Sequence, residues 1–160
     1  IDIINVFEQI DSLLPYSVLN LVDVVYVGDF DFLKERQVNA SYMNGAIYCT
    51  NEQDDHEDML DDLIHEFAHA LDDYPIEILN FLDTKYNKSF DQFMYDEVGN
   101  KKLNTITAGI FLRGYSTVSL REYFATGFEE YYLGDRDYLK KICPSLYEKL
   151  VMILIKKTNC

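Results

Sequence analysis

Two of the three histidines in the chain, His65 and His69, stand four residues apart in the stretch "DDLIHEFAHALDDY". On a helix, residues four apart project from one face, one turn above the other. Two imidazoles so placed can bind a single zinc ion. Glu66, between them, leans toward the side where water on that ion would sit. This is an HExxH arrangement, two ligands and a general base. The alternative is a solvated helix with two polar histidines. Phe67, Ala68, Ala70 and Leu71 argue against it, because they surround the histidines with apolar side chains. Imidazoles partly buried there need partners.

A catalytic zinc needs a third protein ligand and an open position. No further histidine follows His69, whose successors are "ALDDYP", and His56 lies upstream. His56 reads as an exposed histidine within the acidic run "EQDDHEDMLDD". The third ligand is therefore expected to be a downstream carboxylate. Glu122 is the first candidate, because Tyr123, Phe124 and Phe128 lie around it and a carboxylate on so apolar a helix requires a partner. Glu129 and Glu130 compete with it, and each is otherwise read as part of an exposed helix end.

These residues need elements to hold them. The apolar stripe Met59, Leu60, Leu63, Ile64, Phe67, Ala70 and Leu71 predicts one long helix over "DDHEDMLDDLIHEFAHALDD". Its acidic first turns suit the positive helix N-terminus, and Pro75 marks its end. Ser119–Leu133 predicts a second helix, despite Gly127 inside it. Val6, Ile10, Leu13 and Leu14 predict a helix before Pro15, and Pro144 opens a last helix closed by Lys156 and Lys157. "IEILNFLDTKY" and "SFDQFMYDEV" are two shorter helix candidates, followed by a turn at Gly99, Asn100, Lys101 and Lys102. "LVDVVYVGDF" (Leu21 to Phe30) reads as a buried strand and "GAIYCT" (Gly45 to Thr50) as a second strand. Helices with a few early strands predict an α+β class.

At 160 residues the chain is expected to be one domain, 1–160, able to bury a core without staples. The formal net charge of −14 offers no basic patch for phosphates and argues against nucleic-acid binding. The acidic run before the metal helix can favour basic substrates, although a solvated helix face is the simpler account. The longest apolar run, "VMILI", is far too short to span a membrane. The start "IDIINVF" carries no initiator Met and no signal peptide is visible, so a mature product or an excised domain is expected. Cys49, Cys143 and Cys160 show no CxxC spacing; the first two read as core thiols.

"IHEFAHALDDY" followed by "YSTVSLREYFATGFEEYY" resembles the catalytic domain of anthrax toxin lethal factor and the related Pro-Pro endopeptidases, which are gluzincin-type zinc metalloproteases. The resemblance runs from about "GAIYCT" to "ICPSLYEKL". It rests most on a tyrosine, Tyr115, seven residues before Glu122. It implies a mostly helical, zincin-like metalloprotease domain with a small early β-sheet. It implies one zinc ion on His65, His69 and Glu122, with Glu66 as general base and Tyr115 stabilising the oxyanion. "GAIYCT" resembles the edge strand along which substrate lies, which implicates Gly45, Ala46, Ile47 and Tyr48. Cys143 and Pro144 look like a Cys-Pro pair that opens the last helix. One departure stands out. The relatives carry a glutamate one turn after the ligand glutamate, and this chain has Thr126. Asp72 or Glu129 is the expected compensation in supporting a metal ligand.

The expected function is therefore zinc-dependent hydrolysis of peptide bonds in a protein or peptide substrate. The alternative is a weak or inactive binding module of a larger toxin-like protein. A secreted bacterial setting is implied. Delivery into a target cell and additional domains in the full-length protein are compatible with it.

Overall fold

The computed structural model describes residues 1–73 and 120–158. The chain divides into two compact units, Ile1–Tyr74 with Lys157–Cys160, and Pro75–Lys156. The described elements are helices and one small sheet, an α+β chain.

The first unit begins with α1 (Ile3–Leu13). Asp2 caps it by accepting the Asn5 N–H at 3.2 Å, and Val6 and Ile10, four apart, are buried. Leu14 leaves the helix in an extended conformation, as a residue before proline prefers. Pro15 then caps the single-turn α2 (Tyr16–Leu19). Next come β1 (Val24–Gly28), α3 (Asp31–Arg36), β2 (Ala40–Met43) and β3 (Ala46–Thr50).

Asn44 and Gly45 join β2 to β3. Their φ values of 48° and 87° are both left-handed, which a tight hairpin turn of the type I′ kind demands. The strand order is β1-β3-β2, with β1 parallel and β2 antiparallel to β3. The expectation of a buried strand over Leu21–Phe30 is corrected by the sheet. β1 is shorter, and Val24 and Tyr26 are 37% and 47% exposed. The valine run reads as buried by composition, but β1 has one neighbour among the described strands and its outer side chains meet solvent.

α4 (His56–Asp73) packs against β2, β3, α1 and α2. Its inward stripe, with Met59, Leu63, Ile64 and Leu71 almost fully buried, meets a core that includes Val6, Val18, Ile47 and Cys49. Burial of each such aliphatic side chain contributes about 1.5–3 kcal/mol, so packing rather than helix propensity holds α4 in place.

In the second unit the described residues form α5 (Leu120–Leu133), α6 (Arg136–Ile142) and α7 (Pro144–Thr158). The α5–α6 turn is closed by two carboxylates. Glu130 Oε1 accepts the Asp135 N–H at 2.9 Å, and Asp135 Oδ1 accepts the Tyr138 N–H at 3.0 Å. Pro144 takes the first helical position of α7, where its missing N–H costs nothing. The helix candidates Ile76–Tyr86 and Ser89–Val98, and the turn at Gly99–Lys102, lie outside the described residues.

Candidate metal centre

α4 brings His65 and His69 one turn apart, with ring centroids 4.8 Å from each other and the rings edge to face. His69 is 5% exposed and His65 half-buried. The helix start is fixed by Asp55, whose Oδ1 accepts the Asp58 N–H at 2.9 Å, and Glu57 and Asp58 follow at its positive end. The expected spacing has therefore become two adjacent imidazoles on the partly buried face of a packed helix.

Glu66 is 8% exposed. Its Oε2 accepts the backbone N–H of Tyr42 at 2.6 Å. Because that N–H serves Glu66, it points out of β2 on the side away from β3. The candidate base thus sits against the outer edge of β2. Sequence reasoning missed this partner, since a backbone N–H leaves no residue-type signal. The Asn44–Gly45 dipeptide, a strong hairpin signal, was the clue that could have found β2.

In the second unit, Glu122 lies in the first turn of α5 and is half-buried. Tyr123, Phe124 and Phe128 beside it in sequence are almost fully buried, as expected. Of its competitors, Glu130 is engaged in closing the α5–α6 turn. Thr126 is buried, and its hydroxyl donates to the Glu122 carbonyl of its own helix at 2.8 Å. Asp72 is buried in the last turn of α4. Tyr115 lies outside the described residues.

Among the described residues, His65, His69 and Glu122 make up a group that could hold a metal ion. The donor set fits the chemistry of zinc, which takes imidazole nitrogen and carboxylate oxygen.

Two expectations are corrected. β3 is not an edge strand: β1 and β2 flank it on either side. Ala46, Ile47 and Tyr48 therefore spend their backbone groups within the sheet, Ile47 is fully buried, and Gly45 belongs to the hairpin turn. Local pattern shows that a strand exists but not which neighbours it acquires. His56, expected to be exposed, is half-buried as the first residue of α4. Cys49 is a packed strand cysteine as expected. It is fully buried, and burial pushes its thiol up to about 11.

A family model described as "Anthrax toxin lethal factor, N- and C-terminal domain" matches residues 30–152. The chain belongs to this family. No curated protein and no solved structure matches it. The lethal factor match includes β2, β3, α4, α5 and α6, and with them His65, Glu66, His69, Tyr115 and Glu122. Its description spans N- and C-terminal domains together, so membership establishes a toxin-related lineage. No described helix of this lethal factor family chain is long and apolar enough to cross a membrane.

Proposed function

We propose that this chain is a zinc-dependent endopeptidase with a zincin-like fold, acting on protein or peptide substrates outside the cell that makes it. The observation that carries the reading is the α4 arrangement: two imidazoles one turn apart, with a nearly buried carboxylate between them resting on the side of β2 away from β3. In this proposal His65, His69 and Glu122 hold one zinc ion. The ion supplies Lewis acidity, which acidifies water and polarises a carbonyl. Glu66 takes the proton from the attacking water and passes it to the leaving amine. Tyr115 donates its hydroxyl to the developing oxyanion. An extended peptide lies along the outer edge of β2, where Tyr42 presents its N–H, rather than along β3. As the peptide takes that N–H, Oε2 of Glu66 is released to serve as base.

A second reading is a member of the family that keeps the fold and lacks useful activity. The observation that favours it is Thr126, whose hydroxyl is satisfied by its own helix and offers a metal ligand no charge.

One experiment separates the two. The purified chain is analysed for metal and assayed on a peptide library beside Glu66→Gln and Glu122→Ala. The endopeptidase reading expects stoichiometric zinc, cleavage reduced at least about 100-fold in Glu66→Gln, and zinc lost from Glu122→Ala. Equal cleavage by wild type and Glu66→Gln sinks the base. Full zinc in Glu122→Ala sinks that ligand. Zinc without any cleavage favours the inactive module.

A further inference from the structure

The first unit contains a groove away from the histidine pair. This open groove of about 360 Å³, within the range of ligand-sized pockets, is lined by α1, α2, β1 and α4. Phe7 and Ile10 come from α1, Leu19 from α2, Val24 from β1 and Phe67 from α4. Phe67 is two residues from both His65 and His69. At about 100° per residue it stands on the opposite side of the helix from them. The groove is therefore not the metal site.

Its chemistry is two-sided. The floor is apolar, and Tyr16 at the rim is 76% exposed. Asp11 and Asp23 line the same groove, and among the described residues no lysine, arginine or histidine does. The surroundings reinforce those carboxylates: residues 1–73 carry 17 of the 28 acidic side chains and 2 of the 14 basic ones. Such a field repels nucleic acid and anionic lipid and draws in cations. Among the described strands β1 has one open edge, beside which an extended backbone can lie.

We propose that this groove is a docking site for an extended peptide segment in which a lysine or arginine adjoins a bulky apolar residue. The apolar side chain enters between Phe7, Leu19 and Phe67, and the cation meets Asp11 and Asp23. Binding here needs no metal and no cleavage, so the proposal stands apart from the endopeptidase reading.

The test uses the full chain carrying Glu66→Gln, which keeps the probe intact. A dye-labelled, blocked peptide Leu-Lys-Ile-Arg-Leu is titrated by fluorescence anisotropy, beside the same peptide with glutamate for both basic residues. Saturable binding of the basic peptide alone is expected. It should weaken at least about tenfold with Asp11→Asn plus Asp23→Asn, and with Tyr16→Ala, an exposed position whose loss leaves the core intact. Asp54→Asn plus Asp55→Asn removes the same charge elsewhere and should stay within about threefold. Absence of saturable binding overturns the proposal. So does equal weakening in the two double variants, which reduces the effect to bulk charge. Loss of binding only in His65→Ala plus His69→Ala places the peptide at the metal helix and also overturns it. Concentration-dependent dimerisation abolished by Val24→Asp gives the groove to a second copy of this chain and overturns it as well.

Discussion

Thr126 occupies the position where a charged partner for a metal ligand was expected from the resemblance, and its hydroxyl donates to the Glu122 carbonyl instead. That bond runs back along its own helix, so the threonine supports helix geometry and not the ligand's charge. Thr126→Val should therefore leave zinc affinity within about threefold of wild type, whereas loss of a true supporting partner costs about 10–100-fold. Competition against a fluorescent zinc chelator measures it, and a large drop would return Thr126 to the metal site. Cys49 yields a second prediction at this scale. Its thiol stays protonated at pH 8, because burial raises it to about 11. Alkylation of Cys49 in the native chain should be at least about 100-fold slower than in urea, given the loss of thiolate and of access. Mass spectrometry of the peptide containing Cys49 reads this directly. At the residue scale the sequence was informative where type and spacing are themselves the signal, as for His65 and His69, whose rings lie side by side on α4. It was silent on Tyr42, whose contribution is a backbone N–H.

Elements with a strong apolar period were legible, and those defined by neighbours were not. α4 begins at His56 and ends at Asp73, close to the expected span, because its stripe is long and unambiguous. The six-residue α3 and the seven-residue α6 went unread, although Asp135 at the N-cap and Lys140 and Lys141 in the last turn of α6 are helix signals. The place of β3 in the sheet follows from pairings with β1 and β2, which no local pattern encodes. Gly127 shows how packing overturns propensity. Inside an exposed helix, Gly→Ala would stabilise by about 1 kcal/mol. In α5 a Cβ on Gly127 would fall well inside contact distance of the Leu146 side chain on α7, and Leu146 is itself buried, so packed neighbours oppose its moving aside. Gly127→Ala should therefore destabilise by about 1–3 kcal/mol. A urea titration followed by circular dichroism gives the sign, and a stabilised variant would show that α5 and α7 leave room for a methyl group between them.

Charge is a property of the whole molecule, and its pH dependence can be traced to one group within it. With 28 acidic and 14 basic side chains, the chain accumulates negative charge as pH rises, and self-repulsion then works against compactness. Asp62 on α4 adds a specific contribution. Burial raises its carboxyl above the ordinary 3.8, with Asp61 acting the same way, and hydrogen bonds from Asn39 and Gln53 and the nearby His65 only partly offset this. The sign follows from proton binding. Between 3.8 and the higher native value, the native chain holds a proton on Asp62 that the unfolded chain has released. Stability must fall as pH rises through that window, and above it the loss is complete and constant. Asp62→Asn keeps an amide in place of the carboxyl and removes the titration. The two proteins should match in stability below pH 3.8, where Asp62 is protonated in both states of the wild type, apart from a constant offset for the amide. Their difference should grow in favour of the variant as pH rises through the native value, then level off. Urea unfolding at closely spaced pH values measures that difference. A difference that stays flat would mean that Asn39 and Gln53 hold the charged carboxylate as strongly as burial opposes it, and one that moves in favour of the wild type would mean that they hold it more strongly.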